Sequence, residues 1–197
     1  MSLVHPPVRA AEHVALQAEP RPAGNAWVRK WHWAVAAPLA TVAILATGPT
    51  VASIPLLYLA VVTPELVRVD LREHRLPNVL TLPGVAIGAA VWLVESLALG
   101  RVAFAPVAAG VGYAAVLLVL SLLGGMGLGD VKLGAALGFG SWVSFVGVVS
   151  PVLAFLAGGL ASLAVLARRG RGRRMAFGPY LLGGFWAAVA LVAWVRA

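Results

Sequence analysis

Apolar residues run almost unbroken from residue 31 onward, interrupted only at short breaks that carry glycine, proline or basic residues. Crossing the hydrocarbon core of a bilayer as a helix takes ~20 apolar residues. The runs predict helices at about 31–48, 51–68, 78–99, 102–123, 129–140, 142–167 and 177–196. The fifth is short enough to be a half-span. The break between the first two rests on the turn signal TGPT at 47–50. Pro38, Pro55, Pro64 and Pro151 fall inside the predicted spans, where neighbouring helices can satisfy the carbonyls that proline frees. Because the apolar runs are continuous rather than alternating, an outer-membrane barrel is excluded. The expected fold is an all-α polytopic membrane bundle of about seven transmembrane helices, within a range of six to eight. Residues 1–30 are polar and proline-rich and lack the apolar stretch of a secretory signal. They read as a disordered basic cytoplasmic tail, and residues 31–197 as one multi-span membrane domain.

Composition agrees with this pattern. The chain is 61% hydrophobic with a mean hydropathy of +0.93 and only 11% charged residues, against roughly a quarter in soluble domains. The net charge of +8 would suit nucleic acid, but its distribution gives another reason. Arg9, Arg21, Arg29 and Lys30 precede the first helix, and Arg68, Arg72 and Arg75 follow the second. Lys132 starts the fifth, and Arg168, Arg169, Arg171, Arg173 and Arg174 follow the sixth. Counting crossings, these thirteen share one side, and only Arg101 and Arg196 lie on the other. By the positive-inside rule the basic side is cytoplasmic, so the N-terminus is inside. The lipid bilayer is then the expected partner and nucleic acid is not. Trp31, Trp33, Trp142 and Trp194 sit near span ends, as interfacial anchors do.

The candidate chemistry lies in the acidic residues. There are seven, and just two are aspartates, Asp70 and Asp130. Asp70 sits in VRVDLREHRLPNVLTLPG at the end of the second helix, and Asp130 in GGMGLGDVKLGAALG at the start of the fifth. Sixty residues and two full spans separate them, and an even number of crossings returns the chain to the same face. Two carboxylates sharing a site titrate as a coupled pair whose apparent pKa values split. Such a pair can hold a single proton near neutral pH, with one member activating water and the other polarising a peptide carbonyl. The glycines before Asp130 would let an extended substrate backbone approach closely and let the chain turn into the helix, while small residues in LGAALG would allow tight helix packing. Read singly, each feature has a plainer use. Glycines in membrane segments serve helix packing, and Asp130 would suit a helix N-cap.

Three segments carry a family resemblance. GMGLGDVKL (125–133) resembles the signature of the prepilin peptidases, or type 4 leader peptidases, of the GxGD intramembrane aspartyl protease class, with Gly127, Gly129 and Asp130 as the motif. DLREHRLPNVLTLPG (70–84) resembles the first aspartate segment of that family, including Pro77 and Asn78, and FGPYLLGG (177–184) resembles its late Phe-Gly-Pro segment, with Gly178 and Pro179. The resemblance implies that Asp70 and Asp130 form the catalytic pair. It also implies that prepilins or pseudopilins of type IV pilus, tight-adherence and type II secretion systems lose their leader at the cytoplasmic face of the bacterial inner membrane. Longer relatives also N-methylate the product and carry paired Cys-x-x-Cys motifs. This chain has no cysteine, so peptidase activity alone is expected, without cofactor or metal.

Other polar residues are weighed against this reading. Lys132 is about 200° around the helix from Asp130, so direct pairing is not expected. It snorkels to the surface, tunes the site or meets substrate. Arg72, His74 and Arg75 read as anionic-lipid anchors, Glu65 as an i,i+3 partner of Arg68, and Glu95 as interfacial. The five arginines at 168–174 read as a topology anchor. The four histidines show no metal spacing and no HExxH occurs. No serine–histidine combination lies at membrane depth, against a rhomboid-type protease. The aspartates would also serve a transporter's ion relay or sit in a structural subunit. The relay reading expects mid-bilayer charges and an internal repeat, neither of which the sequence has.

Overall fold

Each apolar run folds as a helix in the computed structural model, which describes residues 30–124, 126–169 and 176–197. Of the tail assigned to residues 1–30, residues 1–29 lie outside the described residues, as do the arginines at 171, 173 and 174, while Lys30 is the first residue of a helix. Among the described residues the helices are α1 Lys30–Thr47, α2 Ile54–Glu73, α3 Asn78–Ala98, α4 Phe104–Leu122, α5 Leu128–Phe139, α6 Ser144–Arg169 and α7 Gly178–Arg196. A single 3₁₀ turn, Val51–Ser53, precedes α2. Five helices are long and apolar enough to cross a membrane, and α1 adds a shorter apolar segment, Trp31–Thr47. The all-helical membrane bundle expected from the sequence is therefore the observed fold. At 12 residues, α5 is about 18 Å long against a hydrocarbon core of about 30 Å, which is the half-span length expected of it.

Local chemistry sets the boundaries. α1 stops at Gly48, whose positive φ of 75° only glycine adopts without strain. α2 starts with Pro55 in its first turn, where the missing N–H is no loss. It then runs past the expected end at residue 68 to Glu73. The apolar pattern fades there, but the backbone stays helical. Arg68 Nε donates to Glu65 Oε2 at 2.8 Å, the i,i+3 pair expected. The helix ends where His74 turns left-handed at φ 50° and Pro77 follows. Arg68 and Arg72 thus belong to the helix rather than to a loop after it.

Burial concentrates on α2, α5 and α7. Leu56, Leu59, Leu66, Leu133, Leu137, Leu181, Leu182 and Phe185 are all at most 2% exposed. α5 packs against α3, α4 and α7, and its glycines make this possible. A Cβ on Gly138 would lie 2.4 Å from Gly110 Cα on α4, and one on Gly88 of α3 would lie 2.6 Å from Phe139 Cβ. By contrast, α4 and α6 turn Val111, Val116, Val119, Leu156, Leu160 and Leu163 outward, the apolar outer surface that a bilayer would cover. Trp186 Nε1 donates to Thr63 Oγ1 at 2.9 Å and joins α7 to α2 in the bundle interior. At one end of the bundle the Arg196 guanidinium donates to the Ala46 carbonyl. The opposite end holds the aspartates.

Candidate active site

The last turn of α2 buries Asp70 to 4% exposure. Its backbone carbonyl accepts the His74 N–H at 2.9 Å, closing the helix. Its Oδ2 accepts the Gly178 N–H at 2.9 Å, from the first residue of α7. Helix N-termini present unpaired N–H groups and a positive dipole end, so this is a favourable place for a carboxylate. Pro179 occupies the first turn of α7, where it removes no needed donor. A Cβ on Gly178 would lie 2.7 Å from Asp70 Oδ2, so glycine here is a matter of close approach.

Asp130 is not the N-cap of α5, as its position had allowed. That place belongs to Gly127, and Asp130 is the third helical residue, with its Oδ2 accepting the Gly127 N–H at 3.2 Å. This is half of a capping box; glycine has no side chain to return the bond. The two motif glycines have different surroundings. A Cβ on Gly129 would lie 3.0 Å from Leu76 Cβ and 3.3 Å from the Leu76 nitrogen, so the 74–77 turn rests directly on it. A Cβ on Gly127 would meet nothing closer than Asp130 Oδ2 at 3.7 Å, and its φ of −86° suits any residue.

These segments enclose a cavity of about 470 Å³. Asp70 and Asp130 both line it, with Asn78, Gly127 and Gly129 from the predicted set. His74, Arg75, Leu76, Gly124, Met126, Leu128, Ala176 and Phe177 complete the wall. Pro77, Lys132, Gly178 and Pro179 stand behind it: Pro77 caps α3, and Lys132 Nζ donates to Asn78 Oδ1 at 2.8 Å. The partner of Lys132 is thus Asn78, consistent with its expected direction away from Asp130.

Some wall residues escape a reading of the sequence. Leu76 lies in a basic stretch, and its only signal is being apolar between Arg75 and Pro77. His74 had been read as a lipid anchor, yet it lines the cavity. Its left-handed backbone is the only non-glycine positive φ among the described residues, a conformation that often marks functional sites.

Burial pushes the Asp130 carboxyl up to about 6; the Gly127 N–H opposes this and the charge on Asp70 adds to it. The sign of the stability effect follows. A carboxyl raised on folding contributes fully below its ordinary value near 4 and loses that contribution as pH rises through about 6. Asp130→Asn should therefore match the parent in stability at pH 4 and exceed it at pH 7.5, by up to about 2–3 kcal/mol. Unfolding midpoints in detergent at the two pH values check this; a parent that gains on the variant as pH rises would contradict it.

No curated protein and no solved structure matched the chain. The profile of the type IV leader peptidase family matches residues 52–167, which include both aspartates but not the Phe-Gly-Pro segment. With more than half of the 197 residues matched, the chain belongs to the type IV leader peptidase family.

Proposed function

We propose that the chain is an aspartyl endopeptidase that removes the leader of prepilins or pseudopilins at the cytoplasmic face of the bacterial inner membrane. The observation that carries this is the meeting of Asp70 and Asp130 on one cavity wall across sixty residues of chain. The orientation rests on the basic residues at the cavity end of the bundle, Arg68, Arg72 and Arg75. It places the site where a leader still inside the cell would meet it.

The two carboxyls take different roles in this scheme. Asp130, whose hold on a proton burial strengthens, carries the proton that the pair shares in the active form and donates it to the scissile carbonyl oxygen. Asp70 is ionised, steadied by the Gly178 N–H, and accepts a proton from water as the water attacks the carbonyl carbon. The resulting gem-diol collapses: one hydroxyl proton returns to Asp130, and the proton on Asp70 passes to the leaving amine. Products are a carboxyl and an amine, and the pair again shares one proton. Neither metal nor cofactor enters these steps. Methyl transfer is outside the proposal, since the chain offers no cysteine for the paired motifs of longer relatives.

Co-expression with a leader-bearing prepilin tests the proposal. The expected result is a faster-migrating product whose new N-terminus follows the leader glycine and whose mass shows no added methyl group. A precursor unchanged in size and sequence would contradict it.

A further inference from the structure

The two aspartates ride on different segments, and among the described residues no hydrogen bond joins them directly. Their separation is therefore set by whatever fixes α5 against the 70–78 segment. Two contacts do so near the cavity. One is the close stacking of Leu76 on Gly129, which limits approach but not rotation. The other is the bond from Lys132 Nζ to Asn78 Oδ1 at 2.8 Å. It is the only side-chain hydrogen bond among the described residues that joins α3 to α5. An ammonium group only donates, so the amide must present its oxygen, and the pairing has one orientation.

Placement on the helix matters more than the strength of the bond. Lys132 and Asp130 are two residues apart, so they project from nearly opposite sides of α5. A tether on the Lys132 side adds a directional restraint on the rotation of α5 to the packing that holds the rest of the helix. A turn of 20° would move a carboxylate about 6 Å from that axis by about 2 Å, and a misplacement of about 1 Å at a reacting group can lower a rate by about a hundredfold. Asn78 in turn is the first residue of α3, directly after the Pro77 cap, so the tether ends on a rigid start rather than a loop. The bond is exposed, and pairs of that kind add little to stability. Its place beside the cavity is thus better explained by geometry than by holding the fold.

We propose that Lys132 and Asn78 are a positioning pair that sets the angle and distance at which Asp130 faces Asp70. This rests on the aspartyl peptidase reading. The test uses the whole purified protein and a prepilin that the parent cleaves, comparing Lys132→Met, Asn78→Ala, the double variant, Asn78→Asp and, as a separate control, Asp70→Asn. Lys132→Met and Asn78→Ala should each lower kcat by about tenfold with KM within about twofold, and the double variant should be no slower than the slower single. Asn78→Asp keeps an oxygen acceptor and should stay within about threefold of the parent.

The cysteine-free chain also permits spin labels at Val79→Cys and Leu128→Cys, which are 76% and 60% exposed. Their distance distribution should broaden or shift in Lys132→Met. Single variants within twofold of the parent in kcat, losses that multiply in the double, or a distribution unmoved by Lys132→Met would each overturn the proposal. Full cleavage by Asp70→Asn would instead overturn the peptidase reading itself, so the two failures are distinct.

Discussion

Gly178→Ala is expected to lower leader cleavage by about a hundredfold while the protein still inserts and folds. The reason lies in a single contact. The Gly178 N–H donates to Asp70 Oδ2 at 2.9 Å, and a Cβ at that position would lie 2.7 Å from the same oxygen. That is far inside van der Waals contact, so either the Asp70 carboxylate or the start of α7 must shift. The neighbours leave the helix end little room: Leu181, Leu182 and Phe185 of α7 are at most 1% exposed. The carboxylate is the freer group, and moving it separates it from both its donor and the water that it activates in the proposed reaction. Displacements of about 1 Å at reacting groups suffice for losses of this size. Gly127→Ala makes the contrast, since its Cβ would meet nothing closer than Asp130 Oδ2, at an ordinary 3.7 Å. It should preserve the Asp130 hydrogen bond and the fold, and any loss of rate should then appear in KM, through hindered approach of the substrate backbone. Parallel cleavage rates, with unfolding midpoints as a folding control, check both. Gly178→Ala at parental kcat would show that Asp70 does not depend on this contact.

The helices were legible because a membrane removes most alternatives: a continuous apolar run of span length has few other ways to satisfy its backbone. The same rule explains where the reading stopped short. α2 runs on from Val69 to Glu73, where Asp70, Arg72 and Glu73 keep helical geometry but interrupt the apolar run, so hydropathy ends the helix too early. That Asp70 and Asp130 lie at the same end follows from counting crossings, which needs only the parity of the spans; that they line one cavity needs the packing. The partners of the aspartates do not follow. Gly178 is 108 residues from Asp70, and the family resemblance points to Gly178 without saying that its N–H holds a carboxylate. Nor does composition separate the two motif glycines. Gly129 is pressed against Leu76 whereas Gly127 has room for a side chain, a difference that depends on which loop lies across α5. Lys132 could be steered away from Asp130 by helical geometry, but its bond to Asn78 needs the packing of α3 beside α5.

Asp70→Asn and Asp130→Asn should each reduce cleavage by at least about 10³-fold, the scale seen when one member of a catalytic unit is lost. Asparagine keeps the size of the side chain and an oxygen for the Gly178 or Gly127 N–H, so the fold and the cavity persist. What it removes is the ability to carry and release a proton. In the proposed reaction, water has no base without ionised Asp70, and the carbonyl has no acid without protonated Asp130. Because the two act in one step, the double variant should be no worse than either single. A structural role for the aspartates predicts otherwise, with function surviving the substitutions. The most direct measurement is therefore the initial rate of leader removal by purified parent, Asp70→Asn, Asp130→Asn and the double variant, on one prepilin, with equal folded protein. The aspartyl pair predicts three equally silent variants. Cleavage within about tenfold of the parent by either single variant would contradict it.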